Sequence, residues 1–180
     1  MKYILDFDRV LFDTDAFVDV LSKEGLGDIP RTQELIDVLK EKGIDLSGFL
    51  NEGVVDFLDV HGKECVVLSS CISRNRKDND VDKSRLAHFQ MKKIQLSGVG
   101  ERVEKVVVVG ESKHEALMTL AQEYGGNLTF LDDESVHIQI GEALGLKTFL
   151  MRTPKNSDEQ VSTQTTAVDS FSGFVKASHD

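Results

Sequence analysis

Cysteine is scarce in this sequence. Cys65 and Cys71 are the only two, too few for a disulfide scaffold or a four-cysteine zinc site. The five histidines are scattered, and no H-x-x-x-H pair presents two imidazoles on one helix face. Apolar runs are short. None approaches the roughly 20 residues that span a bilayer, and Met1-Lys2-Tyr3-Ile4-Leu5 meets Asp6 too soon for a secretory signal. Positive charge is in deficit, with 21 lysines and arginines against 31 acidic residues and a net charge of -10. That balance repels phosphate backbones and anionic membranes, so neither nucleic acid nor a membrane surface is an expected partner. No internal repeat is visible. These absences predict a soluble protein of the reducing cytoplasm.

What remains is ordinary globular composition, 40% hydrophobic and 29% charged over 180 residues, enough for one compact domain with a small insertion. Residues 3–7, 65–68, 106–109 and 128–131 are nearly continuous apolar runs of strand length, with a weaker fifth at 148–151. Unbroken apolarity without alternation suits strands buried on both faces. Residues 16–23, 32–42, 86–94, 115–124 and 135–144 carry apolar side chains three or four apart, as helices do. Strands alternating with helices predict an α/β fold, a doubly wound parallel sheet.

The first two strands are far apart, and three apolar stripes lie between them, around Phe17 and Leu21, around Leu35 and Leu39, and from Leu46 to Leu58. Residues 16–59 read as a small helical cap over one edge of the sheet, with 1–15 and 60–180 as the core. The alternative is that these helices cover a sheet face. Residues 155–166 read as an exposed loop, and Val168, Phe171, Phe174 and Val175 as a short terminal helix docking on the core.

The chemistry concentrates at strand ends, where open α/β sheets bind ligands. Asp6 and Asp8 end the first strand on the same side, since strand side chains alternate. Two neighbouring carboxylates repel, which favours a shared proton or a hard cation. Asp13-Thr14-Asp15 reads as part of the turn or N-cap that opens the next helix. Asp78-Asn79-Asp80-Val81-Asp82 begins like a calcium loop but has Lys83 where glycine is needed and Phe89 where a glutamate belongs, so it is rejected. The second strand ends in Ser69-Ser70 and the fourth in Asp132-Asp133, while Lys113 opens the helix between the third and fourth strands.

This order of motifs, D-x-D-x-V, strand plus serine, lysine, strand plus D-D, resembles the haloacid dehalogenase-like hydrolase superfamily, phosphatase type. The resemblance spans residue 1 to about residue 152 and includes Gly145-Leu146-Lys147-Thr148 before the last apolar run. It implies a Rossmann-like sheet and a magnesium-dependent phosphohydrolase of small phosphomonoesters. In that scheme Asp6 attacks phosphorus to form an aspartyl-phosphate. Asp8 protonates the leaving oxygen and then activates water. Ser69, or Ser70 if the register slips by one, contacts a phosphoryl oxygen, and Lys113 offsets negative charge. Mg2+ is held by Asp6, the Asp8 carbonyl and Asp132, with Asp133 beside them to orient bound water or Lys113. An acid at Asp8 argues for phosphoryl transfer over dehalogenation, because a halide leaves without a proton.

Arg9 departs from the pattern, since family members often have glycine there. It either contacts substrate phosphate or is a surface charge. Gly98-Val99-Gly100 precedes a strand and Gly110-Glu111-Ser112-Lys113 lacks a glycine-rich loop, so neither is a nucleotide motif. Arg31, Lys40 and Lys42 read as solvated helix surface, with contact to a second anionic group as the alternative. A non-catalytic phosphate-binding module and a phosphomutase are the competing functional readings.

Overall fold

The computed structural model describes residues 1–71, 82–110 and 112–178. Residues 78–81 of the rejected calcium-like stretch lie outside them. Six parallel strands, β1 (Lys2–Leu5), β2 (Cys65–Ser70), β3 (Lys105–Val109), β4 (Leu128–Asp132), β5 (Lys147–Met151) and β6 (Thr165–Val168), form one sheet in the order β3-β2-β1-β4-β5-β6. β1 sits at its centre, with Leu5 opposite Val67 on one side and Leu131 on the other.

Strand pleating sorts the apolar runs onto two faces. Tyr3, Leu5, Cys65, Val67, Leu131 and Phe149 point into one core, and Ile4, Val66, Leu68, Phe130 and Leu150 into the other. Helices α1 (Thr14–Lys23), α2 (Gln33–Glu41), α3 (Val54–His61), α4 (Lys83–Leu96), α5 (Val99–Arg102), α6 (His114–Tyr124), α7 (Ser135–Ala143) and α8 (Phe171–Ser178) supply the covering layers. Leu117 and Leu120 of α6 and Ile138 of α7 close the second core. On the first face, Phe57 of α3 and Phe174 of α8 meet Tyr3 edge-on, with ring centroids at 5.2 and 6.2 Å. Within residues 16–59, therefore, α3 lies on a sheet face, while Val18 of α1 and Arg31 of the α1–α2 loop line a cavity at the strand ends. Asp13 caps α1 by accepting from the Ala16 N–H at 2.9 Å.

Two details differ from the sequence reading. The ladder of β1 stops at Leu5, although the apolar run resumes at Phe7 after Asp6, because the chain turns there. The Phe7 carbonyl accepts from the N–H groups of Leu11 and Phe12 at 3.0 and 2.9 Å, and Phe7 stacks on Phe12 within the turn. The loop expected over 155–166 is shorter than its polarity suggests, because Thr165 and Thr166 belong to β6. Thr165 and Val168 are buried and the two residues between them exposed, a half-covered edge strand whose apolar content is too low to register. Asn156 inside this loop is also buried. Its side chain donates to the carbonyls of Asp133 and Met151 at 2.6 and 3.1 Å and accepts from the Thr153 N–H at 2.7 Å.

Candidate active site

The carboxyl ends of β1 and β4 are adjacent, so Asp6, Asp132 and Asp133 converge. Each offers a carboxylate oxygen within 4.8 Å of the others. Lys113, just before α6, is 1% exposed and reaches back across the sheet edge. Its Nζ lies 2.7 Å from Asp6 Oδ1 and 2.7 Å from Asp132 Oδ2. The other oxygen of Asp132 accepts from the Glu134 N–H at 2.8 Å, and His137 Nδ1 stands 3.3 Å from it. Asp132 is thus occupied on both oxygens, whereas among the described residues the Asp133 side chain pairs with Arg9 alone, at 3.6 Å.

Electrostatics separates these acids. Burial opposes charge on Asp132, but Lys113 and His137 hold it below the usual carboxylate range. Burial raises Asp6 to about 7; Lys113 works against this, and Asp132 and Asp8 add to it. Asp133 is pushed to about 8 by burial and by Asp6 and Asp132. Lys113 stays charged, since its two carboxylates outweigh the cost of burying it. Three hard oxygen donors that cannot all ionise unaided fit a divalent cation. His137 Nε2 adds a buried nitrogen with no partner among the described residues, on a side chain lining the same cavity.

Asp8 is held differently. Lys93, 3% exposed on α4, forms an ion pair with its Oδ1. Thr14 Oγ1 donates to Oδ1 at 2.5 Å and Gln90 Nε2 to Oδ2 at 2.6 Å. Burial opposes the charge, but Lys93, Thr14 and Gln90 together bring the Asp8 carboxyl down to about 2. The Lys93 ammonium lies 5.2, 4.7 and 5.9 Å from the ring centres of Phe7, Phe12 and Phe17, contacts that favour a cation. Burial still pulls the Lys93 pKa down, and Asp8 offsets part of this.

The two serines divide. Ser69 is fully buried and accepts from Gln90 Nε2 at 2.9 Å, while Ser70, one residue on and facing the opposite way, lines the cavity. That cavity has a volume of about 300 Å³ and is bounded also by Asp6, Asp8, Arg9, Arg31 and Asp133. Lys40 is exposed and Lys42 pairs with Glu24 at 3.0 Å, so neither is part of the wall.

Lys93, Gln90 and His137 carry no mark in the sequence reading, and Thr14 enters it only within Asp13-Thr14-Asp15 at the start of the helix. A signal for two of them exists. Leu86, Phe89, Gln90, Lys93 and Ile94 are the buried residues of α4, so two polar residues occupy positions of the apolar stripe, and polar groups there need buried partners.

No protein-family model and no curated protein sequence matches this chain. Solved structures do. A Burkholderia xenovorans protein described as haloacid dehalogenase-like has a TM-score of 0.65 and 17% identity over 97% of this chain and 94% of its own. The D,D-heptose 1,7-bisphosphate phosphatase of B. bronchiseptica, complexed with magnesium and phosphate, has a TM-score of 0.61 and 12% identity over 99% and 98%. The β-phosphoglucomutase of Clostridium difficile has a TM-score of 0.52 and 15% identity over 94% and 91%. The fold is therefore the haloacid dehalogenase-like α/β fold.

Proposed function

We propose that this protein is a magnesium-dependent phosphohydrolase that cleaves a small phosphomonoester through an aspartyl-phosphate on Asp6. The observation that carries this reading is the meeting of Asp6, Lys113, Asp132 and Asp133 at the strand ends, beside a cavity large enough for a small ligand. That structures of the same fold include a phosphatase and a phosphomutase supports it.

In this scheme a carboxylate oxygen of Asp6 attacks phosphorus and the P–O bond to the leaving alcohol breaks. Lys113 stands against the nucleophile and offsets the charge gathering there. Ser70, which shares the cavity wall with Asp6, takes the phosphoryl contact, while Ser69 supports Gln90 behind Asp8. Asp8 at rest is a carboxylate paired with Lys93, the form that removes a proton from the water cleaving the intermediate. For the first half-reaction a proton must reach Asp8 before the leaving oxygen departs. Magnesium fits Asp6, Asp132, Asp133 and the Asp8 carbonyl, and when bound it supplies charge that lowers the repulsion between carboxylate and phosphate. Of residues 16–59, α1 and the α1–α2 loop act as a small cap, with Val18 and Arg31 facing the substrate space, while α3 lies on the sheet face.

Purified protein with magnesium is expected to hydrolyse p-nitrophenyl phosphate, and Asp6→Asn to abolish the activity. No turnover above background across a broad panel of phosphate esters would refute the reading and favour a phosphate-binding module on this fold.

A further inference from the structure

Arg9 is the only non-glycine residue with positive φ among those described, at 61°. A left-handed backbone is unfavourable for a residue with a Cβ, and strain of this kind clusters at active sites and ligand clamps. The strained turn aims the guanidinium at the reaction cavity. Its Nη1 lies 3.6 Å from Asp133 Oδ2, while Nε and Nη2 lie 3.4 and 3.3 Å from Asp15. Lys155, from the loop after β5, approaches the same Asp15 carboxylate at 3.5 Å. Asp15 therefore holds two cations side by side that would otherwise repel. Arg31, from the α1–α2 loop, lines the same cavity and lies near enough to Lys93 for their like charges to act on each other.

The cations of the chemical centre are committed: Lys113 is held at 2.7 Å by each of two acids, and Lys93 is paired with Asp8. Arg9 and Lys155 at the rim are held loosely. Contacts of 3.3–3.6 Å are long beside the roughly 2.7–2.9 Å of a full charge-assisted bond. Arg9, with about five N–H donors, has capacity for another acceptor. Its carboxylate neighbour Asp133 belongs to the Asp6 cluster, which places the guanidinium one side chain away from the nucleophile. An ester anchored at Asp6 with a neutral remainder would oppose that remainder to three cations drawn from three separate elements.

We infer that the substrate carries a second anionic group, phosphate or carboxylate, received at the cavity rim by Arg9, Lys155 and Arg31. This rests on the phosphomonoesterase reading and narrows its substrate class to bis-anionic esters.

The test is calorimetric, on the Asp6→Asn protein with magnesium, using two matched pairs of probes. Glycerol 3-phosphate against 3-phosphoglycerate adds a carboxylate; fructose 6-phosphate against fructose 1,6-bisphosphate adds a phosphate. The second anion is expected to tighten Kd by about tenfold or more in at least one pair, the yield of one charge-assisted contact, and that pair identifies the group. Adding Arg9→Gly, which relieves the left-handed backbone, or Lys155→Ala, at an exposed position, is expected to shrink the increment to about threefold or less. Equal affinities within both pairs, or an increment that survives both substitutions, overturn the inference. Wild-type turnover of p-nitrophenyl phosphate, run in parallel, separates the two claims. Turnover without an increment refutes only the second anion, and an increment without turnover on any ester supports the rim site while refuting the hydrolase.

Discussion

Replacing Lys93 with methionine keeps an unbranched stem beneath Phe7, Phe12 and Phe17 and deletes the ammonium that pairs with Asp8. Removing one partner of a buried ion pair costs about 3–5 kcal/mol, because the other charge is stranded. Asp8 here has a side chain 25% exposed and keeps its bonds from Thr14 and Gln90. The lower end, about 3 kcal/mol, is therefore expected at pH 7. In the wild type the Asp8 carboxyl stands near 2, below its value in the unfolded chain. Its stabilising contribution of roughly 2–3 kcal/mol is complete above about pH 4 and is lost as the pH falls toward 2. Without the ammonium, burial dominates and raises the Asp8 carboxyl, so mild acid neutralises the stranded charge in the variant before it harms the wild type. The stability gap should narrow as the pH falls from about 7 to about 4. Urea unfolding of both proteins in metal-free buffer at several pH values measures it, and Asp8→Asn in the Lys93→Met background should restore part of the loss. A gap that is independent of pH, or smaller than about 1 kcal/mol, is what an exposed pair would give and would refute the buried pair.

Asp6 and Asp133 titrate in the opposite sense. Both are raised, to about 7 and about 8, so in metal-free buffer they favour the folded state less as the pH climbs from about 4 to about 8. Asp133→Asn should flatten that decline in thermal midpoint, and millimolar magnesium should reverse it in the wild type, by about 2.7 kcal/mol at 100 times Kd. A midpoint that ignores both would remove the acidic cluster as a cation site. Gly62 closes the first-face packing after α3. A Cβ there would stand 2.1 Å from the Arg102 carbonyl oxygen, so Gly62→Ala should cost about 2–4 kcal/mol in denaturant unfolding, and a neutral result would contradict the close approach.

The apolar runs determined the class of fold. Five of the six strands announce themselves because strands buried on both faces must be apolar throughout, and their alternation with amphipathic segments leaves few arrangements other than a parallel sheet. Asp6, Lys113, Asp132 and Asp133 were legible for the same reason, since each stands where an apolar strand ends or the next helix begins. Three further features depended on the tertiary structure. Polar residues spaced along one helix carry no address, so the pairing of Lys93 and Gln90 with Asp8, some 80 residues earlier in the chain, appears only once α4 packs beside the first turn. The choice between Ser69 and Ser70 rests on strand register, where a slip of one residue exchanges core and cavity. The partners of Arg9 were equally hidden, because they depend on a backbone angle and on Asp133 and Asp15 reaching the guanidinium from different elements. Burial period is a local property that a linear chain displays; the partners of a charge are set by long-range packing, which it does not.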